Sequence, residues 1–116
     1  MGDARTDRMA KNEALFRSVN ERVNALNDHL SLVGVVDEPR YEEYLCECVD
    51  IECIERVRLT DDEYQRVRSN SLWFVIALGH AAPEIERVIE ENERFAMVEK
   101  GPGERDIVVA TDPRRK

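Results

Sequence analysis

Cys46, Cys48 and Cys53 are the only cysteines of the 116-residue chain, and they fall within eight residues, in LCECVDIECIERV. Three thiols cannot pair off among themselves. At this density they suit a metal ion of the zinc type, which takes thiolates at about 2.3 Å in a tetrahedron and, in structural sites, draws all four ligands from protein. Cys-x-Cys on an extended segment puts both thiols on one face. Four further residues let the chain turn back and present Cys53 from the far side. A fourth ligand must come from elsewhere, and the only histidines are His29 and His80. His80 follows Gly79 at the end of the apolar run from Leu72 to Leu78, where a strand gives way to a loop, so it is the expected ligand. His29, on the flank of a helix, and the carboxylates Asp50 and Glu52 are the alternatives.

Other chemistries fit these residues less well. Isolated cysteines are usually small buried hydrophobes, but three in eight residues, flanked by Glu47, Asp50, Glu52 and Glu55, do not read as a core strand. Redox pairs favour C-x-x-C in a thioredoxin-like context and a positive setting for the thiolate, and both are missing. A two-iron cluster asks for ligands spaced around a larger group. A catalytic zinc needs an open position and a general base, and neither H-E-x-x-H nor the deaminase H-x-E…C-x-x-C pattern is present. The expected cofactor is zinc, in a closed structural site.

The elements that must position this site follow from period and punctuation. Met9, Asn12, Phe16, Val19, Val23, Leu26, Leu30 and Val33 alternate in steps of three and four, the a/d pattern of a heptad. Gly34 and Pro39 end that pattern. A helix over 9–33 would be roughly 37 Å long at about 1.5 Å per residue. The rest of the chain is too small to cover it, which predicts an arm for homodimerisation or partner docking. A strand enters Cys46 and another leaves Cys53. Thr60 and Glu63 form the signature of a capping box for a helix over TDDEYQRVRSN. Ser71–Gly79 reads as the most buried strand. Ile85, Val88 and Ile89 fit a short helix begun by Pro83, with a β-hairpin turning at Glu91–Glu93 as the alternative. Asp106–Ala110 reads as an edge strand and Pro113–Lys116 as a frayed basic tail. The expected architecture is α+β: a helical arm over 1–36, a zinc-stapled antiparallel sheet with one or two short helices over 37–104, and a flexible or edge-strand tail over 105–116.

Charge narrows the partners. The net charge is -8, and residues 37–63 alone carry eleven acids against three arginines. That field repels phosphate backbones and argues against nucleic acid. It reads most simply as a solvated surface, and otherwise as a patch for a basic partner. The charged N-terminus lacks a signal-peptide core, and no apolar run is long enough for a bilayer. A cytoplasmic, reducing location follows as the expectation.

The pattern CEC…C.ER…LT..EY..VR, followed by GH…PE.ERV and VEK and preceded by NEALFRSVNERV, resembles a family of small uncharacterised bacterial, actinobacterial proteins. The resemblance covers most of the chain and places Cys46, Cys48, Cys53 and His80 on the recurrent pattern. It implies no named activity. The function read from the residues is a non-enzymatic structural-zinc module, of a regulatory kind, with a helical arm for homodimerisation or partner binding. The alternative is a small zinc or redox enzyme that uses the cysteines directly.

Overall fold

The computed structural model describes the backbone of residues 4–31 and 41–114 and the side chains of residues 8–26 and 41–114. The fold is α+β. Helix α1 (Ala4–Ser31) precedes the hairpin β1 (Tyr41–Leu45) and β2 (Arg56–Thr60), then helix α2 (Asp61–Arg68), strands β3 (Trp73–Ile76), β4 (Glu86–Glu91) and β5 (Ala96–Lys100), and helix α3 (Arg105–Ala110). There are two antiparallel sheets, the β1–β2 hairpin and a three-stranded sheet in the order β3-β5-β4. Gly34, Pro39 and the side chains of Leu30 and Val33 lie outside the described residues.

Alternation along β3 and β5 divides the core. Phe74, Ile76, Ala96 and Val98 pack with Ala10 of α1, Val108 of α3 and the cysteines Cys46 and Cys48. Val75 and Met97, on the other face, pack with Tyr44, Val57 and Leu59 of the hairpin and Tyr64 and Val67 of α2. The three-stranded sheet is thus the middle layer, covered on both faces. Tyr44 and Tyr64 stack with centroids 4.3 Å apart. The capping box at α2 is complete: Glu63 N–H donates to Thr60 Oγ1 at 3.2 Å, and Thr60 N–H donates to Glu63 Oε1 at 2.8 Å.

Three expected elements take another form. The segment read as a helix after Pro83 is strand β4, and the hairpin alternative is the one adopted. Asn92 Oδ1 accepts from Arg94 and Phe95 N–H and forms the turn. A β-bulge between Val88 and Glu90 shifts the register there. One extra residue in a strand breaks the two-residue alternation, and that is how Ile85, Val88 and Ile89 come to mimic helical spacing. The supposed edge strand Asp106–Ala110 lies in helix α3. Its carbonyl at Val108 accepts from Arg17 Nη2 at 2.6 Å, so tertiary contact overrides the strand preference of its β-branched residues. Of the tail expected to fray, Arg114 pairs with Glu21, as the preceding Asp112 is buried and paired with Arg68, while Arg115 and Lys116 lie outside the described residues.

Helix α1, expected as a protruding arm, packs on this body from Met9 to Asn24. The buried side chains include Met9, Ala10, Ala14 and Phe16, but also Glu13, Arg17, Asn20 and Asn24. Steps of four, three and four place those four polar residues on one face. The helix therefore docks largely through a polar stripe, each member of which reaches a partner on another element. Glu13 joins Lys100, which also pairs with Glu86. Arg17 reaches Ser71 O and Val108 O. Asn24 reaches Tyr44 Oη and Asp61. Among the described residues, no helix is long and apolar enough to cross a membrane.

Candidate metal centre

The β1–β2 hairpin carries the cysteines in its loop. Cys46 follows the last residue of β1, and its N–H donates to Glu55 O at 3.1 Å, closing the loop at its base. Inside it, Cys53 N–H donates to Asp50 O at 3.0 Å and turns the chain so that the third thiol faces the first two. His80 arrives from the loop after β3. Gly79 has a φ of +83°, a conformation disfavoured for side chains with a Cβ. It sits third in a turn closed by His80 N–H donating to Ala77 O at 3.1 Å, the position at which a type II turn takes a positive φ.

The structure brings Cys46, Cys48, Cys53 and His80 together, with all four ligand atoms within 4.8 Å of one another. His80 Nδ1 is 3.5 Å from Cys46 Sγ and 3.7 Å from Cys53 Sγ. Metal–sulfur and metal–nitrogen bonds of about 2.3 and 2.0–2.1 Å in a tetrahedron place ligand atoms about 3.6–3.8 Å apart. The two imidazole–thiol distances match that spacing, and the group as a whole is close enough to hold a single metal ion. Asp50 and Glu52 are exposed and lie outside the cluster, where Asp50 Oδ1 accepts from Glu52 N–H at 2.9 Å. The side chain of His29 lies outside the described residues.

Three thiolates facing one divalent ion leave an excess negative charge, which backbone amides can offset. Ala77 N–H donates to Cys46 Sγ at 3.1 Å, and backbone hydrogen bonds at Asp50 and Glu55 favour the ionised forms of Cys48 and Cys53. Ala77 thus serves both halves of the site, its N–H on a cysteine and its C=O on the His80 turn. The three neighbouring thiols share protons unevenly. A hydrogen bond from Cys46 draws Cys48 down to about 5, while that same bond and burial push Cys46 up. Burial raises Cys53.

Glu47, between the two leading cysteines, points away from the cluster and is fully buried. It is therefore not part of the solvated acidic surface expected over 37–63, whereas Glu43, Asp50, Glu52, Glu55, Asp61 and Asp62 are exposed. Its N–H donates to Val75 O at 2.8 Å, and Val75 N–H returns a bond to Glu47 Oε1 at 3.0 Å. Burial pushes its carboxyl above the usual range, with Asn20 and Val75 pulling the other way. Sequence reasoning passes over Glu47 and its partner Asn20. The polar repeat Glu13, Arg17, Asn20, Asn24 shares one face of the helix, but its composition is equally that of a solvated face, so it gives no signal by itself.

A surface cavity of about 460 Å³ opens between residues 83–87 and 99–104, and none of the four clustered residues lines it. Comparison with protein-family models, curated proteins and solved structures finds no match for this chain.

Proposed function

We propose that the protein is a non-enzymatic metal-binding module in which Cys46, Cys48, Cys53 and His80 hold one zinc ion as a structural centre, in a reducing, cytoplasmic setting. The convergence of four ligand atoms within 4.8 Å carries the reading. Three sulfurs and one imidazole favour zinc over harder ions. Four protein ligands fill a tetrahedron, and none of them lines the 460 Å³ cavity between residues 83–87 and 99–104, so the small zinc or redox enzyme is the weaker alternative. Purified under reducing conditions, the chain should carry about one zinc per molecule. His80→Ala should strip the metal while His29→Ala retains it. A folded, metal-free chain with three titratable thiols overturns the reading, and metal lost only from His29→Ala reassigns the fourth ligand.

The same proposal gives α1 an assembly role. Leu15, Val19 and Leu26 are 53%, 37% and 59% exposed and share one side of the helix. Because Met9 and Phe16 are buried at home, the seam expected over 9–33 is reduced to a shorter strip starting at Leu15. Burying each Leu or Val gains about 1.5–3 kcal/mol, so a two-fold pairing of this strip favours a homodimer. Sedimentation of the zinc-loaded protein should give twice the chain mass, and Val19→Glu/Leu26→Glu should give monomers that keep their zinc. A wild-type monomer at high concentration removes the assembly role and leaves the metal reading intact.

A further inference from the structure

Helix α1 grips the reverse side of the cysteine segment. Asn20 lies against β1 as a strand neighbour would: its Oδ1 accepts from Leu45 N–H at 2.8 Å and its Nδ2 donates to Leu45 O at 2.9 Å. The same Nδ2 donates to Glu47 Oε2 at 2.8 Å. Two turns earlier, Asn12 Nδ2 donates to Val49 O at 2.9 Å. Residues 45–49 are thus held from behind by two asparagines, while Cys46 and Cys48 face the cluster in front. Glu47 then ties the segment to β3 through its paired bonds with Val75.

We infer that Asn20, with Asn12 and Glu47, is a positioning residue of the metal centre, and that loading the centre is coupled to docking of α1. The inference rests on the proposed metal site and adds a mechanism to it. Alternation along Cys46-Glu47-Cys48 directs the thiols to one face and the glutamate to the other, so one backbone conformation serves both the ion and the helix. An ion that fixes the thiols presents Leu45, Glu47 and Val49 to α1 in register. A docked α1 holds the two leading thiols where the ion needs them. Coupling of this kind is reciprocal: the factor by which docking strengthens metal binding equals the factor by which metal strengthens docking. The consequence is a metal-responsive helix. Since α1 also carries the exposed strip Leu15, Val19 and Leu26, metal status would reach that surface through the asparagines.

Asn24 supplies the control. It is buried on the same face one turn on, but its Nδ2 reaches Tyr44 Oη and Asp61 instead of the cysteine segment. Cobalt(II), titrated into the full-length chain, reports both affinity and tetrahedral thiolate coordination by absorption. Groups that orient metal ligands typically change metal affinity by about 10–100-fold when removed. Asn20→Ala should therefore weaken cobalt binding by about 10–100-fold with an unchanged spectrum. Asn24→Ala, even at an equal loss of thermal stability, should stay close to wild type.

Hydrogen exchange on the wild-type chain gives an independent measure should Asn20→Ala fail to fold. Removing the metal should speed exchange between Met9 and Asn24 more than in the β4–β5 hairpin. Equal weakening by the two asparagine variants, or faster exchange confined to residues 45–55, overturns the coupling while leaving the metal site in place. A wild-type chain that takes up no cobalt overturns both.

Discussion

Cys48→Ser is expected to abolish tight zinc uptake and to melt the β1–β2 hairpin loop, and chelation of the wild-type protein should do the same. Cys48 is buried beside Cys46 in the core shared with Phe74, Ile76 and Val98. Serine offers a poor ligand for a borderline-soft ion and places a hydroxyl against apolar neighbours. Structural zinc contributes about 10–16 kcal/mol of apparent binding free energy in small peptides at neutral pH. A whole domain is stable by only about 5–15 kcal/mol, so loss of a zinc ion bound at the proposed site would outweigh any single packing change. Cys48→Ala separates the two roles, because it keeps a small apolar side chain in the core and deletes the ligand. If the cysteine acts only as a hydrophobe, Cys48→Ala should retain most of the melting temperature, and chelator should leave the wild-type melt unmoved. Thermal unfolding by circular dichroism with parallel metal analysis decides between them.

The parts of this site that can be read from sequence are those governed by local rules. Cys-x-Cys needs only strand alternation to place two thiols on one face, and the capping box at Thr60 and Glu63 needs only four consecutive residues. Gly79 before His80 marks a turn for the same reason, since its positive φ is a property of one residue. Nothing local, however, distinguishes a buried polar stripe from a solvated one. Glu13, Arg17, Asn20 and Asn24 have the composition of an outward face, yet they point inward because each meets a partner from a distant part of the chain. The apolar a/d pattern on the same helix is accordingly split, with Met9 and Phe16 in the core and Val19 and Leu26 exposed.

Glu47 repeats the point at the centre of the site. In sequence it belongs to a run of acids whose surplus equals that of the whole chain. Only the pairing with Val75 and Asn20, 28 and 27 residues away, explains why it alone among its charged neighbours in that loop is buried. The misread elements follow the same logic. Strand β4 is disguised by a bulge whose register is set by β5, and α3 is held helical by contacts with α1 that its own β-branched residues do not announce.

Lys100→Met should destabilise the protein by about 3–5 kcal/mol, the usual cost of stranding a buried charge when its partner is removed. Lys100 lies between Glu13 and Glu86, and all three side chains are 0% exposed. Glu86 also accepts from Ala82 N–H at 2.8 Å, so one carboxylate and one ammonium are well provided for. Glu13 is the odd member. Burial pushes its carboxyl from an ordinary 4.5 to about 10, with Lys100 pulling down and Glu86 adding to the rise. The folded chain therefore retains a proton that the unfolded chain releases above pH 4.5, and stability should decline as pH rises from there toward about 10. Glu13→Gln, which keeps the shape and hydrogen-bonding capacity of the protonated acid, should flatten that decline. Glu13→Gln/Glu86→Gln/Lys100→Met removes every charge at once and should recover most of the loss caused by Lys100→Met alone. Denaturant unfolding at pH 6 and pH 9 measures all of these variants. A triple variant no more stable than Lys100→Met would mean that the lysine contributes packing against Phe74, whose ring centre lies 5.4 Å from Nζ, and not charge balance. A wild-type protein equally stable at both pH values would show that Glu13 is ionised in the fold and that Lys100 serves two carboxylates rather than one.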